Sequence, residues 1–286
     1  MDLVENRQDI GIKGKGQFTL GSGEVASLLY HDIFDYPLSL GELIKWQGGK
    51  RLSIKRKPLI INKNGFYFIE GREGTIFKRL LRERISLRKL EIARKAGKIL
   101  RLIPTIRMVA VTGALSMESA GEESDIDLMI VAQKGTLWTT RVLTLIFLDL
   151  IGFPRRIYAD KNQKDKLCLN IWLDETSLTW PKKSRNSYTA HEICQIRPLV
   201  NKDKTYEKFI YSNRWVKEFW PNAVGVRNVR AETHPQRSFL GIFELLARSI
   251  QFWYMRGKIT REVVTKSRAL FHPHDWGKVV LKRLAS

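Results

Sequence analysis

The sequence predicts an α+β protein built around a small mixed sheet, with helical segments before and after it in the chain. Three observations predict this class. Hydrophobic strand-like runs alternate with helical patterns from residue 105 onward. A long helical pattern, free of proline until its end, covers residues 73–104 and stops at Pro104. The run PLIINKNGFYFIEG reads as two strands joined at Lys63-Asn64-Gly65, a hairpin signal. The chain has 286 residues, room for about two domains.

Residues 1–22 contain Gly11, Gly14, Gly16 and Gly21 with few apolar residues, so they are expected to form a flexible arm. In 23–72, EVASLLYHDIF has helical spacing. Asp35-Tyr36-Pro37 breaks it, and Ser39 caps a second short helix, LGELIKW. Two helices followed by a ribbon suggest a winged-helix-like module. The stretch where its third helix would lie, GGKRLSIKRK, is basic but short and interrupted by glycine. Such a module either touches phosphates without reading bases or docks a protein partner. Residues 73–104 form a long linking helix, with Ile76, Leu80, Ile85, Leu90, Ala93, Ala96 and Ile99 on one face and basic residues on the other.

Residues 105–183 hold the strands RMVAVTG, DIDLMIVA, RRIYA and LCLNIWL. LWTTRVLTLIFLDLIGF lies between them; Arg141 and Asp149 interrupt it and it is short for a bilayer span, so it reads as a buried helix and no membrane partner is expected. Residues 184–286 read as a C-terminal helical domain. Its aromatic residues (Trp215, Phe219, Trp220, Phe239, Phe243, Phe252, Trp253, Tyr254) recur at core-like spacing. Arg248, Arg256 and Lys258 on the same segments would face a triphosphate or a nucleic-acid end.

Lys and Arg total 50 against 29 Asp and Glu, a net charge of +21. Residues 1–104 carry 21 basic against 11 acidic side chains, residues 105–180 carry 8 against 10, and residues 181–286 carry 21 against 8. A mildly acidic middle between basic flanks suits carboxylate chemistry beside a polyanion-attracting surface. Two cysteines cannot build a disulfide framework, and MDLVENRQDIGIKGKG lacks a signal-peptide pattern, so a cytoplasmic location is expected.

The stretch VAVTGALSMESAGEESDIDLMIVA carries the chemistry. Side chains alternate across a strand, so Asp125 and Asp127 share a face about 7 Å apart. Paired carboxylates repel unless a cation joins them, and Mg²⁺ takes hard oxygen ligands together with substrate phosphate. Gly113, without a Cβ, lets backbone amides approach a phosphate closely.

This arrangement resembles the nucleotidyltransferase superfamily, of the DNA polymerase beta type. The family's mark is an apolar strand, Gly-Ser, about ten residues, then Asp-x-Asp opening the next strand. Ala114 stands where the family has Ser, and Ser124-Asp125-Ile126-Asp127-Leu128 matches the spelling of many small members. The chain is also similar overall to bacterial nucleotidyltransferase-domain proteins. The resemblance implies attack of an acceptor hydroxyl on the α-phosphate of a nucleoside triphosphate, with release of pyrophosphate. Asp125 and Asp127 would hold one or two Mg²⁺ ions as metal and catalytic residues. Gly113, Ala114, Ser116 and Ser124 would bind the nucleotide; Ser116 or Ser119 would offer a hydroxyl or serve only to start a helix. The acceptor would be tRNA, other RNA or DNA.

Glu118 departs from the pattern by placing negative charge near the phosphates. Asn170 stands in mid-strand where active members carry a third carboxylate, with Asp174 or Glu175 beyond it as substitutes. These departures keep open a second reading, a catalytically degenerate relative acting as a nucleic-acid-binding or regulatory module. His191-Glu192 lacks the second His of a zinc-protease motif. Cys168 and Cys194 read as small buried hydrophobes. His272, His274 and Asp275 read as a stiff turn in preference to a metal corner.

Overall fold

A computed structural model describes residues 12–13, 20–52, 58–157, 162–226, 241–257, 262–271 and 276–285. The described residues are mixed α+β with two sheets. Helix α1 (Ser22–Asp32) ends at a turn where Asp35 takes a positive φ, and Ser39 then caps α2 (Leu40–Lys45). The Ser39 and Glu42 side chains each bond the other's backbone, a reciprocal capping box that fixes where the helix starts. Strand β2 (Leu38–Ser39) joins a small sheet in the order β1-β3-β4-β2. The hairpin β3 (Ile60–Lys63) and β4 (Phe66–Ile69) turns at Asn64-Gly65, both with positive φ as a tight type I′ turn requires.

Part of the expected arm is strand: β1 (Ile12–Lys13) pairs in parallel with Ile60 and Ile61. The rest of the arm up to residue 19 lies outside the described residues, as do residues 53–57 of the basic stretch.

Helix α3 (Gly74–Leu100) runs unbroken from the small sheet to the large one. Its buried stripe includes Ile76, Leu90, Ala93 and Ala96 as the spacing predicts, but Leu80 is exposed while Arg79 and Lys89 are buried. Each buried cation has partners: Arg79 pairs with Glu42 and Glu83, and Lys89 with Asp165. Those partners are distant in sequence or on the helix's own flank, so apolar periodicity gives no sign of them.

The large sheet has the order β8-β5-β6-β7-β10-β9. Strands β5 (Ile106–Val111) and β6 (Ile126–Ala132) run antiparallel, and β7 (Leu167–Asp174) lies parallel to β6 after crossing over through α5 (Leu137–Leu150). Strands β8 (Arg197–Asn201), β9 (Val263–Val264) and β10 (Arg268–Leu270) complete it. The expectation that 184–286 is helical is therefore corrected. Three of its segments extend the sheet, hidden from the periodicity by their shortness and, in β8, by Pro198 on an edge strand. RRIYA is corrected too: of its described residues only Arg155 bridges to Leu167.

The two faces of the sheet feed two cores. Met108, Ala110, Met129, Val131 and Leu173 pack with α1, α2, α6 (Ser187–Cys194) and the buried Trp215 and Trp220. Val109, Val111, Leu128, Ile130 and Trp172 pack with α3 and α5. Segments from both ends of the chain thus share one core with the first face.

Helix α7 (Thr205–Ser212) follows β8, and α8 (Gly241–Met255) lies on α5. The Glu244 carboxylate accepts from the Trp138 and Thr139 amides, capping α5. Helix α5 is not wholly buried as expected, because Leu143, Ile146 and Leu150 are exposed. On α8, Phe243, Phe252, Trp253 and Tyr254 are exposed as well, so the aromatic spacing that marks core at Trp215 and Trp220 does not do so there. Phe239 lies outside the described residues. Helix α9 (Trp276–Ala285) packs near α6 and α1. Among the described residues no helix is long and apolar enough to cross a membrane.

Candidate functional site

Asp125 immediately precedes β6 and Asp127 is its second residue; with Met129 and Val131 they share the strand face that looks toward α1, α2 and α6. Cys168 is the direct neighbour of Asp127 across the parallel β6–β7 pairing. A carboxylate oxygen of each Asp and the Cys168 sulfur all lie within 4.8 Å of one another.

The pairing skips one residue on β7, since Leu128 faces Leu169 while Met129 faces Ile171. Asn170 is the extra residue of this bulge, and alternation from Cys168 places its side chain on the Asp face. There its Nδ2 donates to Asp127 Oδ1 at 2.6 Å, while its Oδ1 is buried without a protein partner.

Gly113 begins a single helical turn after β5, at φ +60. A Cβ on it would stand 2.6 Å from Asp127 Oδ2, so any other residue would have to displace the carboxylate and also adopt a left-handed backbone. The Thr112 amide donates to the Asp127 carbonyl at 3.0 Å and fastens the end of β5 to the start of β6.

The loop before Asp125 is pinned from α3. Lys89 Nζ, fully buried, donates to the carbonyls of Glu122 and Ser124 at 3.0 and 2.7 Å and pairs with Asp165 at 2.7 Å.

Burial and then the charge of Asp125 push the Asp127 carboxyl up to about 7. Two carboxylates held this way call for a compensating cation. In the structure Arg156 supplies part of it, pairing with Asp125 Oδ2 at 3.0 Å from a partly exposed position. The residues fit a divalent ion: two carboxylates on one face, and the orphaned Asn170 oxygen beside them.

These groups open onto a cavity of about 540 Å³. Gly113, Ala114 and Ser119 line it on the sheet side, with Phe34, Tyr36 and Glu192 opposite. The sequence-predicted residues are therefore brought together only in part. Ser116 and Ser124 spend their hydroxyls on the carbonyls of Gly113 and Gly121, at 2.7 and 2.9 Å. Glu118 is paired with Arg197 at 2.6 Å, so its charge is compensated.

Asp174 and Glu175 do not substitute for the third carboxylate. Asp174 is the last residue of β7 and Glu175 follows it, at the end of the strand away from Asp127, where Asp174 accepts from the Gly135 amide and Glu175 from the Lys134 amide. Arg248 and Arg256 sit on or just after α8, over the other face of the sheet, and do not line the cavity. Lys258, His272, His274 and Asp275 lie outside the described residues.

Sequence reasoning missed three residues. Arg156 and Cys168 belong to no motif, although Cys168 alternates with Asn170 in LCLNIWL. Glu192 comes from α6, where Gln195 Nε2 donates to its Oε1 at 2.8 Å and approaches the Gly113 carbonyl at 3.4 Å. Protein surrounds the Glu192 carboxyl except where it opens on the cavity, and this desolvation, then Asp127, pushes it up to about 8.

The neighbouring His31 and His191 are buried with their Nε2 atoms 3.1 Å apart. His31 Nδ1 lies 2.8 Å from the Ser27 carbonyl, which can only accept, so the His31 proton sits on Nδ1 and His191 donates to its Nε2. Burial lowers the pKa of both rings, that of His31 to about 4, consistent with a neutral pair.

Compared with known proteins, the chain matches no family model and no curated sequence.

Proposed function

We propose that the protein is a divalent-cation-dependent nucleotidyltransferase that moves a nucleoside monophosphate from a nucleoside triphosphate to a hydroxyl acceptor, with a nucleic acid such as tRNA as the favoured acceptor class. The observation that carries this reading is the fit of Gly113 against Asp127 beside Asp125 at the mouth of the cavity. It supports the family resemblance of the motif: a glycine turn after one strand abuts the paired carboxylates that open the next. The winged-helix-like reading of 23–72 is supported by the two helices and the hairpin, and belongs to the same proposal.

Asp125 and Asp127 would hold a divalent ion, whose chemistry there is to offset charge on the attacking and leaving oxygens. The chain's own groups do the rest. The backbone at Gly113 and Ala114 gives the phosphates a surface without side-chain bulk. Arg156, which pairs with Asp125, would meet a phosphate once a cation took its place there. Phe34 and Tyr36 offer flat apolar surface for a base. Glu192 is the cavity carboxyl available to accept the acceptor's proton, since no carboxylate stands at Asn170.

Incubation with Mg²⁺ and, separately, with Zn²⁺, each labelled triphosphate and a total RNA pool tests it. Pyrophosphate release and labelled RNA that both vanish in the Asp125→Ala, Asp127→Ala double variant are expected; no release with any triphosphate would overturn it.

A second reading, a degenerate relative that binds nucleic acid or regulates, is favoured by two specific contacts. The amide of Asn170 occupies Asp127, and the Arg156 guanidinium neutralises Asp125 without a metal. That reading predicts salt-sensitive RNA or DNA binding that survives loss of both aspartates.

A further inference from the structure

The sulfur of Cys168 shares the carboxylate pair's pocket. Thiol sulfur is a poor ligand for Mg²⁺ and a good one for Zn²⁺, Co²⁺ and Cd²⁺. We infer that Asp125, Asp127 and Cys168 form a mixed oxygen and sulfur site selective for a borderline or soft divalent cation, of the Zn²⁺ class, over Mg²⁺. This rests on the reading that the two aspartates hold a cation, and it names which kind.

Four observations carry it. The three ligand atoms lie within 4.8 Å of one another, on adjacent strands held in register by the β6–β7 pairing. Cys168 is partly buried and faces the carboxylates, unlike Cys194, which is packed in the core. Asn170, only 7% exposed, leaves its Oδ1 without a protein partner at the same place, an oxygen a cation would satisfy. The cationic group now at the cluster is Arg156, whose guanidinium lies 3.0 Å from Asp125 Oδ2 and 3.9 Å from Cys168 Sγ. One exposed side chain therefore touches the carboxylate and the sulfur together and can swing out as an ion enters.

Binding forms a metal–sulfur bond and breaks the S–H bond, and the thiol proton leaves to solvent. Such an ion retains affinity for phosphate oxygens, so the site remains compatible with a triphosphate.

The test is a titration of the full chain, stripped with chelator and kept reduced by a phosphine, with Co²⁺ followed by absorption. The expected result is a thiolate-to-cobalt charge-transfer band in the near ultraviolet that saturates at one ion per chain, disappears with Zn²⁺ or Cd²⁺, and persists in excess Mg²⁺. The band should be lost in Cys168→Ser, with Co²⁺ affinity lower by about tenfold or more, and kept in Cys194→Ser. Circular dichroism and melting of Cys168→Ser and Cys168→Ala establish that each variant folds.

Co²⁺ binding without the band, or a band that survives in either Cys168 variant or in the Asp125→Ala, Asp127→Ala variant, overturns the assignment. If Mg²⁺ and a triphosphate bind while the band is missing, the mixed site fails and the transferase reading stands. If the band forms but no triphosphate binds, the mixed site stands and the transferase reading fails. No binding of any cation overturns both.

Discussion

Asn170 holds Asp127: the amide nitrogen of the bulged residue on β7 donates to the carboxylate of β6 at 2.6 Å, with the amide oxygen left unpaired. The contact stands where a third carboxylate would complete a metal-dependent site. Asn170→Asp replaces a donor with a third carboxylate and should tighten Mn²⁺ or Mg²⁺ binding by about tenfold or more. Without cation the variant should lose about 1–3 kcal/mol, the cost of breaking a buried charged hydrogen bond. Calorimetry and chemical unfolding with and without cation check the two halves.

Gly113→Ala should be damaging out of proportion to its size. The new Cβ would stand 2.6 Å from Asp127 Oδ2, at a φ of +60. Left-handed backbone strain costs on the order of 1 kcal/mol or more, and displacement of the carboxylate adds to it. The expected outcome is a lower melting temperature together with loss of cation-dependent triphosphate binding. A variant that melts lower but binds normally would separate the glycine from the site.

Glu192→Gln has a pH signature. Burial raises its carboxyl from the ordinary 4.5 to about 8. A raised carboxylate favours the folded state while protonated, so its contribution is full below about pH 4.5 and is lost as pH climbs through about 8. In chelator, Glu192→Gln should match the wild type near pH 5 and exceed it near pH 9, by on the order of 2 kcal/mol after allowance for cavity water. Urea unfolding at the two pH values reads the difference, and an unchanged difference would contradict the burial of this carboxyl. Pyrophosphate release should fall in the variant at both.

Much of this was legible in the sequence, and what was not has a physical cause. Ser39 as a helix cap, and Asn64 with Gly65 as a hairpin turn, are local signals whose partners lie within three residues, and both appear where expected. Gly113, Asp125 and Asp127 were visible because one strand and its neighbour bring them together. Glu192, Arg156 and Lys89 reach the site from separate elements, and no local pattern marks a charged side chain such as Arg156 or Lys89, whose partners are 31 or more residues away. The bulge at Asn170 is equally silent, since it depends on the register between two strands. Strands β9 and β10 are two and three residues long, below the length at which alternation can be read.

Lys89 yields a stability prediction. Its ammonium is fully buried against two carbonyls and Asp165. Lys89→Met keeps the stem but leaves those acceptors unsatisfied, at a cost of about 3 kcal/mol. Hydrogen exchange should quicken across residues 121–125 in the variant, where the loop loses its anchor, while the hairpin at 60–69 stays protected.

The most direct measurement is calorimetric titration of a nucleoside triphosphate into the full chain with and without divalent cation, repeated on the Asp125→Ala, Asp127→Ala double variant. A cation-bearing site built on Asp125 and Asp127 predicts binding that requires the cation and is lost in the double variant. Binding without cation, or binding that persists when both aspartates are gone, would contradict it.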